Sequence, residues 1–84
     1  MGMFKYGGLF YFGVGVDRNL ANAISWLEPA AEQGVGPAAF LCGMAYLEAP
    51  PGLRDRTAAR KWLVQAMKLG DPNAQDVLQR EGLL

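Results

Sequence analysis

The sequence predicts an all-α fold: a short right-handed α-solenoid built from antiparallel helix pairs, about five helices in all. Three observations point to it. Slid against itself by 36 residues, the 84-residue chain matches at ten of 48 compared positions without a gap, where composition alone gives roughly four. Inside the repeat, apolar residues recur at helical spacing. Glycines, prolines and capping residues fall where such helices would begin and end. No stretch alternates with a period of two, so no strand pattern competes.

The first helix is expected near 2–12. Here Lys5 precedes an apolar run from Tyr6 to Val16, and Ala21-Asn22-Ala23 follows. That is also the outline of a secretory signal. Four glycines in the run weaken that reading, and the repeat accounts for the same residues. Eleven residues are too few to span a bilayer. A cytoplasmic location is therefore expected, with no membrane partner.

The second and fourth helices are expected near 20–33 and 56–69. Ala23, Trp26, Leu27 and Ala30 lie at i, i+3, i+4 and i+7, on one helix face. Ala59, Trp62, Leu63 and Ala66 repeat the stripe 36 residues later. Small alanines let a neighbouring helix approach, and each tryptophan is expected to fill the core beside them. Asn19 and Asp55 precede these helices as N-caps. Gly34 and Gly70 follow them, where a left-handed residue ends a helix. Pro29 inside the second helix removes the bond to the Ser25 carbonyl and should bend it.

The third and fifth helices are expected near 37–48 and 72–81. Gly36-Pro37 and Asp71-Pro72 place proline at a first helical position after a cap. Matches of Phe4 with Phe40, Gly7 with Gly43, Arg18 with Arg54, Ala38 with Ala74 and Leu47 with Leu83 extend the repeat over nearly the whole chain. One domain, 1–84, is expected. It holds unit one at about 2–35, unit two at about 36–71 and a terminal capping helix at about 72–84. A single pair cannot bury its apolar face alone, whereas stacked pairs share a core.

These residues resemble the Sel-1-like repeat, a relative of the tetratricopeptide repeat. The resemblance rests on Tyr6-Gly7, Phe10, Gly13-Val14-Gly15-Val16, Asn19, Ala23, Trp26 and Ala30-Ala31-Glu32-Gln33-Gly34 in the first unit. In the second it rests on Ala38, Cys42-Gly43, Tyr46, Asp55, Ala59, Trp62, Ala66 and Gly70. A third unit begins at Ala74 with Leu78. Tyr6 and Cys42 depart from the usual leucine. Ala49-Pro50-Pro51-Gly52-Leu53 replaces the usual glycine loop, and Gln79 stands where Gly7 and Gly43 do. The resemblance implies a scaffold without a shared active site, similar to adaptors that hold protein partners together. An inhibitor or immunity-type protein that neutralises an enzyme is the alternative, as is a fragment of a larger repeat regulator.

Composition narrows the chemistry. Eight basic residues balance eight acidic ones, histidine is absent, and Cys42 is the only cysteine. The commonest general base and metal ligand is thus missing, and no internal disulfide is possible. Neutral charge argues against nucleic acid. Glu28 and Glu32 share a face at i, i+4 but have no accompanying base, so they read as solvated surface. Cys42 reads as a small core residue rather than a nucleophile. Gly13-Val14-Gly15-Val16 lacks the lysine and spacing of a phosphate loop and reads as a helix connection. Arg54, Arg56, Arg60 and Lys61 read as an outer, solubilising face. No enzyme activity, cofactor or metal is expected.

What remains is a protein-binding surface. First helices of stacked hairpins line the inner face of a solenoid. Once the repeat-defining residues are set aside, Phe4, Tyr11, Phe40, Met44, Leu47 and Glu48 are the candidate partner-binding residues. Aromatic and methionine-rich stripes of this kind suit adaptable protein contact. The first helix is apolar enough to need cover from a preceding repeat, a partner, or a second copy by self-association.

Overall fold

A computed structural model describes residues 2–83 of the chain. Five helices follow one another: α1 Gly2–Phe12, α2 Leu20–Glu32, α3 Gly36–Glu48, α4 Arg56–Lys68 and α5 Pro72–Arg80. No strand occurs among the described residues. Helix α1 packs on α2 and α3 on α4, forming two hairpins. Contacts of α2 with α3 and of α1 with α3 join them, and α5 packs on α4. The result is a short solenoid with extents of 33 × 29 × 17 Å.

Caps fix the helix ends. Asn19 and Asp55 accept hydrogen bonds at 3.0 Å from the amides of Asn22 and Ala58, as the sequence predicts. The second helices, α2 and α4, end at Gly34 and Gly70, both at positive φ. In each, two amides beyond the helix return to its last carbonyls. Gly34 donates to Ala31 and Val35 to Ala30, while Gly70 donates to Met67 and Asp71 to Ala66. The start of α3 differs from expectation. Its N-cap is Val35, without a side-chain bond, and Gly36 lies inside the helix ahead of Pro37. Asp71 does cap α5, accepting from the Asn73 amide at 2.9 Å. Helix α2 runs through Pro29 to Glu32 without interruption.

The two hairpins reproduce one another in detail. Leu27 lies against Gly7, and Leu63 against Gly43. A Cβ at either glycine would fall 2.6 Å from the leucine side chain. Both leucines are fully buried, which contributes about 1.5–3 kcal/mol each. The connections from first to second helix span 13–19 and 49–55. Although one is rich in glycine and the other in proline, both close with the same backbone bond. The Asn19 amide donates to the Phe10 carbonyl, and the Asp55 amide to the Tyr46 carbonyl.

The tryptophans break this symmetry. Trp62 is core, 5% exposed, but Trp26 is 39% exposed. The expectation that both fill the core is corrected for Trp26. Trp62 lies beside Ala31 and Glu32 of the preceding α2. Ahead of α1 the described residues provide no such helix. Trp26 instead meets Tyr6, with ring centroids 5.2 Å apart and planes tilted by 39°, and Tyr6 is itself 48% exposed. No described helix is long and apolar enough to cross a membrane.

Candidate functional site

Helix α3 is organised by side-chain size in an unusual sense. Its buried residues are small: Ala38, Ala39, Cys42, Gly43 and Ala45. Its large apolar residues, Phe40, Leu41, Met44 and Leu47, are only half-buried, and Glu48 is exposed. Small residues inward let α2 and α4 approach closely. Their consequence is that the bulk of α3 faces away from the densest packing. Phe4 on the neighbouring α1 is likewise half-buried. These large side chains pack against the core while remaining partly accessible.

The six candidate residues therefore fall into two groups. Phe4, Phe40, Met44 and Leu47 are partly accessible apolar groups on the first helices of their units. Tyr11 and Glu48 belong to a polar clamp between α1 and α3. Tyr11 is 8% exposed, and its hydroxyl donates to Glu48 Oε2. The Arg18 guanidinium donates to Glu48 Oε1 at 2.6 Å and to the Tyr11 carbonyl at 2.8 Å. It also lies 5.2 Å from the Tyr11 ring centroid, a cation–π contact. Burial, reinforced by the Glu48 carboxylate, pushes the Tyr11 phenol well above its ordinary range. The Glu48 hydrogen bond likewise raises the Arg18 guanidinium. Tyr11 thus remains a neutral donor and Arg18 a fixed cation.

A second tyrosine–carboxylate bond lies between α2 and α3. The Tyr46 hydroxyl donates to Glu28 Oε2 at 2.9 Å, and burial followed by Glu28 raises that phenol too. Glu28 is half-buried. The reading of Glu28 and Glu32 as a solvated pair is thus corrected for Glu28, which works as an acceptor in the join between hairpins. Glu32 is exposed as expected.

Arg54, Arg56, Arg60 and Lys61 of the basic cluster are exposed, as expected, and the three arginines also bond backbone carbonyls. Arg56 donates to the Glu81 carbonyl at 2.6 Å, and Arg60 to the Leu83 carbonyl at 2.8 Å. Arg56 further pairs with the Glu81 carboxylate at 3.5 Å. Arg54 donates to the Ala49 carbonyl at 2.9 Å. These guanidinia tie the segment after α5 onto α4 and hold the connection before it. The last carbonyls of α5 take backbone amides, Val77 from Glu81, Leu78 from Leu83 and Gln79 from Gly82, while Arg56 and Arg60 serve carbonyls beyond the helix.

Cys42 is fully buried, and that burial pushes its thiol up to about 12. A thiol held protonated is a poor nucleophile. Among the described residues no three His, Cys, Asp or Glu side chains converge as a metal site. The surface has shallow clefts. One lies along the two connections, between Arg18, Leu20, Pro50 and Leu53. Another lies along the opposite edge, between Gly36, Pro37, Leu69 and Pro72.

Several exposed apolar residues stand outside the six candidates. Tyr6 and Trp26 mark the N-terminal end, while Phe12, Val14 and Val16 surround the first connection. A repeat alignment assigns each position the average environment of its equivalents, so it hides an end effect. The available signal was that Tyr6 and Trp26 belong to the first unit, whose equivalents in the second unit have a hairpin ahead of them.

The Sel1 repeat family model matches residues 1–35 and again residues 36–71. Those two stretches contain both hairpins and most of the chain, which therefore belongs to the Sel1 repeat family. The family is a non-catalytic scaffold type whose repeats generally mediate protein–protein interaction. No curated protein matches the chain, and no solved structure does.

Proposed function

We propose that the chain is a non-catalytic adaptor that binds a protein partner through the face formed by its first helices. The observation that carries this reading is the size inversion of α3. Phe40, Met44 and Leu47 are large, apolar and incompletely covered, while the same helix packs through alanine, glycine and cysteine. A partner that covers these side chains removes apolar surface from water without rearranging the core. Phe4 extends the face onto α1. Glu48 borders it with a carboxylate whose position is set by Tyr11 and Arg18.

The partner surface complementary to this face is apolar at its centre, with a basic or hydrogen-bonding group at its edge opposite Glu48. Methionine suits such contact because its unbranched side chain adapts to different shapes. Tyr11 supports the face from beneath by holding Glu48.

The test is capture of a partner from native extract by immobilised chain, with bound proteins identified by mass spectrometry. Met44→Asp and Phe40→Asp should each abolish capture of the protein retained by the unaltered chain. Circular dichroism and thermal melting establish that the variants are folded. Capture undiminished by both folded variants would remove the first-helix face as the binding surface. Tyr11→Asp is unsuitable, because it places a charge in the buried clamp.

A further inference from the structure

The second helices of the two hairpins share a cleft that the partner-binding reading does not use. It has a volume of about 250 Å³ and is lined by Ala31 and Glu32 of α2 and by Lys61, Trp62 and Gln65 of α4. Its polar groups are not dictated by the repeat. The places equivalent to Lys61 and Gln65 hold Ser25 and Pro29 in the first unit, and the place equivalent to Glu32 holds Lys68 in the second. Trp62 belongs to the repeat pattern, whereas the side chains that surround it are individual to this join.

Glu32, Lys61 and Gln65 are all exposed. Glu32 and Lys61 are not paired with each other, since the ion pairs among the described residues join Arg18 to Glu48 and Arg56 to Glu81. The Lys61 ammonium is held all the same. It lies 4.7 Å from the Trp62 ring centroid, and this cation–π contact fixes its charge beside the cleft. Both charges reach the buried Cys42 thiol of α3. After burial and Glu28, which raise that thiol, Lys61 lowers it and Glu32 raises it. The cleft thus has an anionic side on α2 and a cationic side on α4, with the buried residues Ala31 and Trp62 between them.

An anion entering this cleft is repelled by Glu32, and a cation by Lys61. A molecule that carries both charges satisfies both sides. We propose that the cleft binds a small zwitterion, an α-amino acid with an apolar side chain. Its ammonium donates to Glu32, its carboxylate accepts from Lys61 and the Gln65 amide, and its side chain lies against Ala31 and Trp62. The size agrees, because the cleft falls below the range of about 300–1,000 Å³ that suits drug-sized ligands. Charge-assisted hydrogen bonds at both ends set the orientation. The ammonium already held over the Trp62 ring lowers the cost of ordering the site. The cleft is separate from the face formed by Phe40, Met44 and Leu47, so the proposal stands whether or not that face binds a protein.

Trp62 is a built-in reporter. Trp26→Phe leaves it as the sole tryptophan, at an exposed position that tolerates the change. L-Leucine, which has no ring to interfere with tryptophan emission, is titrated into the full chain. Trp62 fluorescence and the amide resonances of Glu32, Lys61 and Gln65 should all move saturably. Leucinamide lacks the carboxylate and N-acetylleucine lacks the ammonium, so each should bind at least about tenfold more weakly. Glu32→Gln and Lys61→Gln, both exposed and checked for folding by circular dichroism, should each weaken leucine by a similar factor. Three outcomes overturn the proposal. One is the absence of any saturable change with leucine. The second is leucinamide or N-acetylleucine binding as tightly as leucine, which would make the contact apolar or singly charged. The third is leucine affinity unaltered in either folded variant, which would place the binding elsewhere.

Discussion

Leu63 occupies the space that a side chain at Gly43 would need: an added Cβ would meet Leu63 Cγ at 2.6 Å and the Ala59 carbonyl at 3.1 Å. Helices α3 and α4 approach this closely only because position 43 is glycine. Gly43→Ala should therefore destabilise the fold by about 1–3 kcal/mol through overpacking. Gly8 is the control, because a Cβ there meets nothing within 4 Å. Gly8→Ala should stabilise the chain by up to about 1 kcal/mol by removing a helix glycine. Urea denaturation of both variants measures the contrast.

The clamp between α1 and α3 depends on a bond from Tyr11 to Glu48. Tyr11→Phe should cost about 1.5–3 kcal/mol, the range for a hydrogen bond to a charged group. Much of that loss should vanish when Glu48 is already Gln. A double-mutant cycle with Tyr11→Phe and Glu48→Gln reads the coupling between them. Additive single effects would show that the bond contributes nothing to joining the hairpins.

Helix caps give a prediction that is local and repeated. Asn19→Ala and Asp55→Ala each remove the acceptor for an amide in the first turn. Each should lower stability by about 1 kcal/mol. The two sites are far apart in sequence and share no partner, so the double variant should lose the sum. Thermal or urea unfolding of the three variants provides the measurement.

Alkaline pH should unfold the chain through its buried weak acids. Burial is the first cause that raises Cys42, Tyr11 and Tyr46, with Glu28, Glu48 and Glu28 respectively next. Cys42 moves from 9.0 to about 12, and both tyrosines move upward from 10.0. A group whose pKa is raised by folding lends stability that is whole below its unfolded value and lost as pH climbs toward the folded one. Stability should thus start to fall near pH 9, with a limiting slope of about 1.4 kcal/mol per pH unit for each group involved. Cys42→Ala should flatten the decline that begins at pH 9. Tyr11→Phe and Tyr46→Phe should flatten the part above pH 10. Denaturation midpoints taken from pH 7 to 11 separate these contributions.

The segment after α5 is held by Arg56 and Arg60 through backbone carbonyls. Arg60→Gln and Arg56→Gln should together speed hydrogen exchange at the amides of Glu81, Gly82 and Leu83. Amides in the middle of α4 should be unaffected, because these guanidinia lie on its exposed side. Equal exchange at the three tail amides in variant and unaltered chain would show that the helix-end bonds alone secure the segment.

The repeat made the architecture legible. Ala23, Trp26, Leu27 and Ala30 define a helix face by spacing, and Asn19, Asp55, Gly34 and Gly70 mark ends by local chemistry that needs no tertiary information. The start of α3 was less legible, since Gly36 before Pro37 has the features of a cap although the cap is Val35. Of the candidate surface, Met44 and Phe40 were found by subtracting repeat positions. Subtraction does not tell an accessible residue from one engaged in a long-range polar bond, so Tyr11 was placed with them despite lying in the clamp. Glu28 with Tyr46, and Arg60 with the Leu83 carbonyl, are equally non-local pairings. Spacing along one helix carries no record of them.

The two connections from first to second helix share the bond from cap amide to helix carbonyl, yet one reads Gly-Val-Gly-Val-Asp-Arg-Asn and the other Ala-Pro-Pro-Gly-Leu-Arg-Asp. This backbone bond and the capping side chain of Asn19 or Asp55 set how the second helix starts, whatever the residues before them. The rim of the solenoid is therefore a writable margin: its letters can be exchanged while the spacing of the pages beneath stays fixed. Diversity placed there would alter what the edge displays to its surroundings without disturbing the stacked helices that display it.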